Sequence, residues 1–251
     1  MISLRGKNAL VTGGSRGIGA ATALLLADAG ANVGIGYRSR EAQAAEVVRG
    51  IASRGVTGFA HSADVGTRDG NEELFERARR ELGGLDIFVG NAGIWPPEDT
   101  PVSEMPDERY RETIRQNVDS IFYGSRLAAR MLPRGGRIVL ISSTAGQRGE
   151  AFHADYGASK GAIISFVKSL AIELAPRDIT VNSVAPGWVD TDMSTPAYAG
   201  DAKERIRRTI PIGRIATAMD IAGPIVFLCS DLARHITGEI LNVNGGSVLS
   251  G

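Results

Sequence analysis

Short runs of apolar and β-branched residues recur along the chain, at Asn8 to Val11, Asn32 to Gly36, Thr57 to Ala60, Leu85 to Val89, Arg137 to Ile141, Thr180 to Val184 and Ile240 to Val243. Such runs, bounded by turn residues, predict strands. Between them apolar positions fall three and four apart, which predicts helices over Gly17 to Ala29, Arg40 to Ser53, Arg68 to Leu82, Asp107 to Met131, Tyr156 to Leu174 and Ala218 to Ser230. Strict alternation of strand and helix predicts a parallel sheet covered on both faces, since parallel neighbours need right-handed crossovers. The expected fold is therefore α/β, a doubly wound seven-stranded parallel sheet. No repeat, low-complexity tract or linker interrupts the pattern, so residues 1–251 are expected to form one domain. Only Gly187 to Ala216 breaks the rhythm, with a short helix expected near Asp201 to Arg208. A connection of that length suggests a lid over a ligand site.

Charge and composition remove several function classes. Lys plus Arg and Asp plus Glu both number 28, so no net field gathers nucleic acid or an anionic membrane. The single cysteine, Cys229, sits in the apolar run Ile225 to Cys229, where a buried thiol is expected and a disulfide framework is impossible. A strand this early leaves no room for a signal peptide, and no apolar stretch is long enough to span a bilayer; a soluble, cytoplasmic protein is expected. Glycine is abundant at 32 residues. That points to tight turns and close backbone approach to a ligand.

The first strand runs into Thr12-Gly13-Gly14-Ser15-Arg16-Gly17-Ile18-Gly19 and then an alanine-rich helix. Glycines there let the backbone approach a pyrophosphate, whose charge is favoured by free amides and the positive end of the helix dipole. This is the opening of a dinucleotide-binding, Rossmann-type βαβ unit. A site for the unphosphorylated cofactor places an acidic residue about 20 positions further on. Here Tyr37-Arg38 stands in that place. Arg38 with Arg16 can fork a 2′-phosphate that a carboxylate would repel, so NADP(H) is the expected cofactor.

Tyr156 and Lys160 lie four apart on one helical face, where a cation can stabilise a phenolate and bring tyrosine into acid–base use. Ser143, at the end of the strand through Ile141, can hydrogen-bond a reacting carbonyl oxygen. Together with Asp64-Val65, Asn91-Ala92-Gly93, Asn117, Pro186-Gly187 with Val189 and Thr191, and Gly245-Gly246, these pieces closely resemble the short-chain dehydrogenase/reductase family over essentially the whole chain. Within it the chain looks most like the 3-oxoacyl-(acyl carrier protein) reductases.

The resemblance implies that Tyr156 donates a proton, Ser143 orients the carbonyl, Lys160 binds the nicotinamide ribose while lowering the tyrosine pKa, and Asn117 holds a water of the proton relay. It implies that Gly13, Ser15, Arg16, Gly17, Ile18 and Gly19 take the pyrophosphate side and that Asp64 and Val65 meet the adenine. Asn91, Ala92 and Gly93 would line the ribose side, while Pro186, Gly187, Val189 and Thr191 border the nicotinamide, joined by Tyr156 and Lys160. The implied activity is NADPH-dependent reduction of a ketone or 3-oxoacyl carbonyl to a secondary alcohol. The alternatives are an alcohol, sugar or steroid dehydrogenase working oxidatively, and a nucleotide-binding module without turnover. No metal is expected. A homotetramer is implied, built through the helices carrying Asn117 and Tyr156 and through the C-terminal strand region. One departure stands out: where the family commonly has two asparagines, this chain has Gly90-Asn91.

A small-molecule carbonyl substrate would meet Ile94 to Pro97, Ala145 to Asp155 and the segment from Trp188 onward. Trp95 and Trp188 offer flat apolar walls, and Glu150, His153 and Asp155 are either pocket groups or exposed loop charges. Arg134 and Arg177 stand where an acyl carrier protein can dock, or are ordinary surface arginines.

Overall fold

In the computed structural model, which describes residues 2–249, the strands are β1 (Asn8–Thr12), β2 (Asn32–Tyr37), β3 (Gly58–Ser62), β4 (Ile87–Gly90), β5 (Arg137–Ile141), β6 (Thr180–Pro186) and β7 (Ile240–Val243). All pair in parallel in the order β3-β2-β1-β4-β5-β6-β7. The expected doubly wound, Rossmann-type sheet is the observed one. The outermost positions of the expected 1–251 domain, Met1, Ser250 and Gly251, lie outside the described residues.

The inner strands β1, β4, β5 and β6 are buried on both faces, and successive side chains go to opposite sides. Ala9 and Val11 join a core with Leu26 of α1 (Gly17–Asp28), Ile51 of α2 (Glu41–Ala52) and, later in the chain, Ile225. Leu10 and Phe88 join the other, with Leu74 of α3 (Arg68–Leu82) and, from later helices, Ile121 and Ile163. Cys229 lies in the first core, where burial pushes its thiol up to about 12. The thiol is buried, as its apolar neighbours predicted.

The helix expected over Asp107 to Met131 is interrupted. It forms α4 (Asp107–Ile114), a π-helical turn over Arg115–Asp119 and α5 (Ser120–Met131). A short α6 (Thr144–Arg148) follows β5, and α7 (Ala154–Leu174) starts two residues before Tyr156. Within the connection after β6 lie a 3-10 turn (Thr195–Tyr198) and α8 (Ala202–Arg208), and then comes α9 (Ala218–Leu228). Among the described residues no helix is long and apolar enough to cross a membrane.

Candidate active site

The strand order reverses between β1 and β4, and a cleft opens at their carboxyl ends, where such sheets bind ligands. At its floor the glycine turn makes the approach that only glycine permits. Gly13 and Gly17 have φ of 65° and 55°, and a side chain on Gly19 would fall 2.2 Å from the Gly13 carbonyl oxygen. The Asn91 amide donates to the carbonyls of Thr12 (2.9 Å) and Gly13 (3.2 Å), tying β4 to the turn. The Thr12 hydroxyl accepts from the Asn91 and Ala92 amides, both at 3.0 Å. Gly90 has a packing reason: a Cβ there would meet Ile121 and Leu140 at 2.8 Å.

Every residue expected at the cofactor lines this one cleft: Gly13 and Ser15 to Gly19, Arg38, Asp64, Val65, Asn91 to Gly93, Tyr156, Lys160, Pro186, Gly187, Val189 and Thr191. Several engage differently from expectation. Arg16 holds Asp192 of the post-β6 segment at 2.9 Å, and Arg38 lies 3.7 Å from Glu112 of α4. Both guanidiniums are exposed. The Asp64 carboxylate is held by Arg115 (2.8 Å), Gln116 (3.2 Å) and the Gly66 amide (3.0 Å). Although burial opposes it, those donors hold Asp64 below the usual carboxylate range. Its side chain braces the cleft wall against the π turn. Arg148 and Asp192 also line the cleft, within the segments Ala145 to Asp155 and Trp188 onward that were expected to meet the substrate, while Arg40 and Gln116 line it unanticipated. Arg40 had a signal, the Arg38-Ser39-Arg40 run; Gln116 depended on tertiary placement.

At the other end of the cleft Ser143 caps α6, accepting from the Ala145 amide at 3.1 Å. α6 can lie against α7 because Gly146 has no side chain: a Cβ would meet the Lys160 main chain at 2.5 Å. That packing sets the Ser143 hydroxyl against the Tyr156 phenol. Burial pushes the phenol up to about 12, Glu150 adds to the rise, and Ser143 draws it partly back. The net direction is upward, opposite to the lowering that the resemblance implied for Lys160. Lys160 is itself 5% exposed, donates to the Ile141 carbonyl at 2.9 Å, and lies 5.8 Å from the centre of the Tyr156 ring. Burial brings its ammonium down to about 8. Ammonium carries three donors, so Lys160 has hydrogen-bonding capacity beyond this contact.

Asn117 stands behind the cleft wall, fully buried in the π turn. Its amide donates to the Ile94 carbonyl and the Ser159 hydroxyl, both at 3.0 Å, and its carbonyl accepts from the Ile94 amide at 2.7 Å. Single π turns inside α-helices are frequent at functional sites. Here the turn aims a polar side chain inward where a regular helix would carry it round with the spiral.

The remaining pocket candidates separate. Glu150 lines the cleft, takes the Trp95 indole N–H at 3.3 Å, and is pushed up by burial. His153 is buried behind it, stacked on Trp95 with ring centres 4.9 Å apart. Asp155 is neither an exposed loop charge nor a pocket group. It is buried, paired with Arg109 of α4 at 3.1 Å and hydrogen-bonded by Thr113 at 2.9 Å. Arg134 donates to the Pro176 carbonyl, and Arg177 to the carbonyls of Ala129 and Leu132 at the end of α5. Among the described residues no group of side chains could hold a metal ion.

A family model described as Enoyl-(Acyl carrier protein) reductase matches residues 13–248. The 3-oxoacyl-(acyl-carrier-protein) reductase FabG of Escherichia coli (strain K12) is 42% identical over 247 residues, covering 98% of each chain. The chain belongs to the short-chain dehydrogenase/reductase family. Two solved structures carry the same fold. A dehydrogenase/reductase from Sinorhizobium meliloti 1021 superposes with a TM-score of 0.93 at 40% identity, over 98% of this chain and 97% of that one. A short chain dehydrogenase from Burkholderia cenocepacia J2315 in complex with NADP does so at 0.91 and 40% identity, over 97% and 98%.

Proposed function

We propose that this short-chain dehydrogenase/reductase uses NADPH to reduce a ketone, or the ketone of a 3-oxoacyl group, to a secondary alcohol. The observation that carries the reading is the convergence of Ser143, Tyr156 and Lys160 at one end of the cleft that the glycine turn floors. The cleft suits a phosphorylated dinucleotide: glycines open its floor, Arg16, Arg38 and Arg40 line it, and Tyr37-Arg38 replaces the acidic residue after β2. When bound, the cofactor supplies the hydride to the carbonyl carbon.

The chain's own residues manage the oxygen. Ser143 hydrogen-bonds the carbonyl oxygen and sets its direction. The Tyr156 O–H transfers its proton to that oxygen as negative charge develops there. A phenol held near 12 is protonated at neutral pH, as a donor must be. Lys160, cationic below about 8, stabilises the phenolate left behind and holds a cofactor ribose with its remaining donors. Asn117 is a positioning residue. Its two amide hydrogens are used within the protein, so a relay water would have to donate to its carbonyl oxygen.

A carrier-borne 3-oxoacyl substrate is the finer form of this reading, suggested by the curated relative's name. Arg134 and Arg177 do not argue for it, since both spend donors on main-chain carbonyls. The lid role of 187–216 and the homotetramer belong to the same reading. Tyr156→Phe keeps the ring and removes the proton. We expect kcat for ketone reduction to fall at least 100-fold with little change in NADPH affinity. Near-normal turnover of Tyr156→Phe in a stopped-flow NADPH oxidation assay overturns the mechanism.

A further inference from the structure

A second cavity, of about 590 Å³, lies between the last turn of the post-β6 segment and β7. No step of the proposed reaction uses it. Its wall is largely apolar, with Ile210, Ile212, Val243 and Val248. Its charged residues, Arg214 and Asp220, hold each other at 2.6 and 2.7 Å and present no unpaired charge to it. Ser143 and Tyr156 line the cleft alone, and the isoleucines line the second cavity alone. Trp188 is the residue that lines both.

Trp188 is held as a fixed wall. Its carbonyl accepts from the Ala216 amide at 3.2 Å, and the next residue, Val189, pairs with Ala216 in an isolated bridge. Its ring meets the edge of Trp95, with centres 6.1 Å apart and planes at 81°, and leans on Tyr198 at 6.0 Å. Tyr198 is pinned by its hydroxyl, which donates to the Val189 carbonyl at 3.2 Å. Trp95 is pinned by the His153 stack and the Glu150 hydrogen bond. Aromatic side chains braced on several sides do not yield readily to an alkyl chain pushed against them.

We infer that Trp188 sets the size of the ketone this enzyme accepts, by closing the substrate end of the cleft against an apolar cavity that a longer tail would otherwise enter. The inference rests on the reductase reading and deepens it: the substrate class is compact ketones and short 3-oxoacyl groups. Each methylene that reaches an apolar pocket strengthens binding about fourfold, so opening the partition has a readable signature.

The test is a series of methyl ketones from 2-butanone to 2-undecanone, reduced with NADPH by the wild-type protein, Trp188→Phe and Trp188→Ala. For the wild type, kcat/KM stops rising with chain length and drops for the longest members. In Trp188→Ala the ratio of kcat/KM for 2-nonanone to that for 2-butanone rises at least tenfold over wild type, with Trp188→Phe between the two. A wild-type kcat/KM that climbs steadily to 2-undecanone overturns the inference without needing any variant to fold. A 2-nonanone to 2-butanone ratio unmoved in both variants overturns it too, while leaving the reductase standing. If the wild type reduces none of the ketones, this inference falls, and turnover of a 3-oxoacyl thioester with NADPH then decides the reductase reading separately.

Discussion

Lys160 keeps its ammonium in a nearly dry position with a main-chain carbonyl as its hydrogen-bond partner. Its pKa falls to about 8, against roughly 10.4 for a lysine in the unfolded chain. Below 8 both states hold the proton and the cost of burying the charge is fully present. Between 8 and about 10.4 only the unfolded chain holds it, so this group makes stability rise with pH there. The cofactor-free protein should therefore gain up to about 3 kcal/mol relative to Lys160→Met across that window. Urea midpoints at pH 7.5, 8.5 and 9.5 measure it, and parallel curves for the two proteins would contradict it. At this scale the sequence disclosed residue identities well and environments poorly. The spacing of Tyr156 and Lys160 placed both on one helical face, but did not disclose the desolvation that raises the phenol. Asp155 looked like a loop charge because its partners, Arg109 and Thr113, are more than 40 positions away.

The elements were legible because apolar period and turn glycines agree along most of the chain. All seven strands stand within about two residues of their expected bounds. What escaped was decided by tertiary packing. The π turn at Arg115–Asp119 leaves the periodicity of α4 and α5 nearly intact, and the five residues of α6 are too few to show a period. The segment after β6 was expected as a lid, and its ion pair with the glycine turn emerged only in three dimensions. In the pair between Arg16 and Asp192, the carboxylate occupies the guanidinium proposed to meet the cofactor's 2′-phosphate. Exposed pairs of this kind contribute about 0.2–1 kcal/mol. Asp192→Asn should accordingly tighten NADPH roughly 1.4-fold to fivefold and leave NADH unchanged. Fluorescence titration of each nucleotide measures this, and an equal effect on both would refute the competition.

For the whole molecule, three of the exposed apolar side chains fall on the helices where the family resemblance puts subunit contacts. Tyr110 of α4, Phe122 of α5 and Ile172 of α7 are exposed, the last at 79%. A homotetramer covering them sediments at about 106 kDa, four times the 26.4 kDa chain. Joint replacement of Phe122 and Ile172 by Glu should shift the boundary to smaller species, whereas a wild-type monomer across the micromolar range would refute the assembly. The π turn lies between that outer surface and the chemistry inside. Losing one codon from Arg115–Asp119 would let the backbone relax into continuous α-helix, a locally favourable change. The five residues of the wider turn carry the chain round about as far as four in an α-helix, so everything beyond the deletion would keep its facing relative to α4. Phe122 would stay on the outer face, while Asn117 would lose its place against Ile94 and Ser159. A deletion that improves the helix would thus disable the site while leaving the outer surface as it was, which makes this stretch tolerant of substitution on its outer face and intolerant of any change in length.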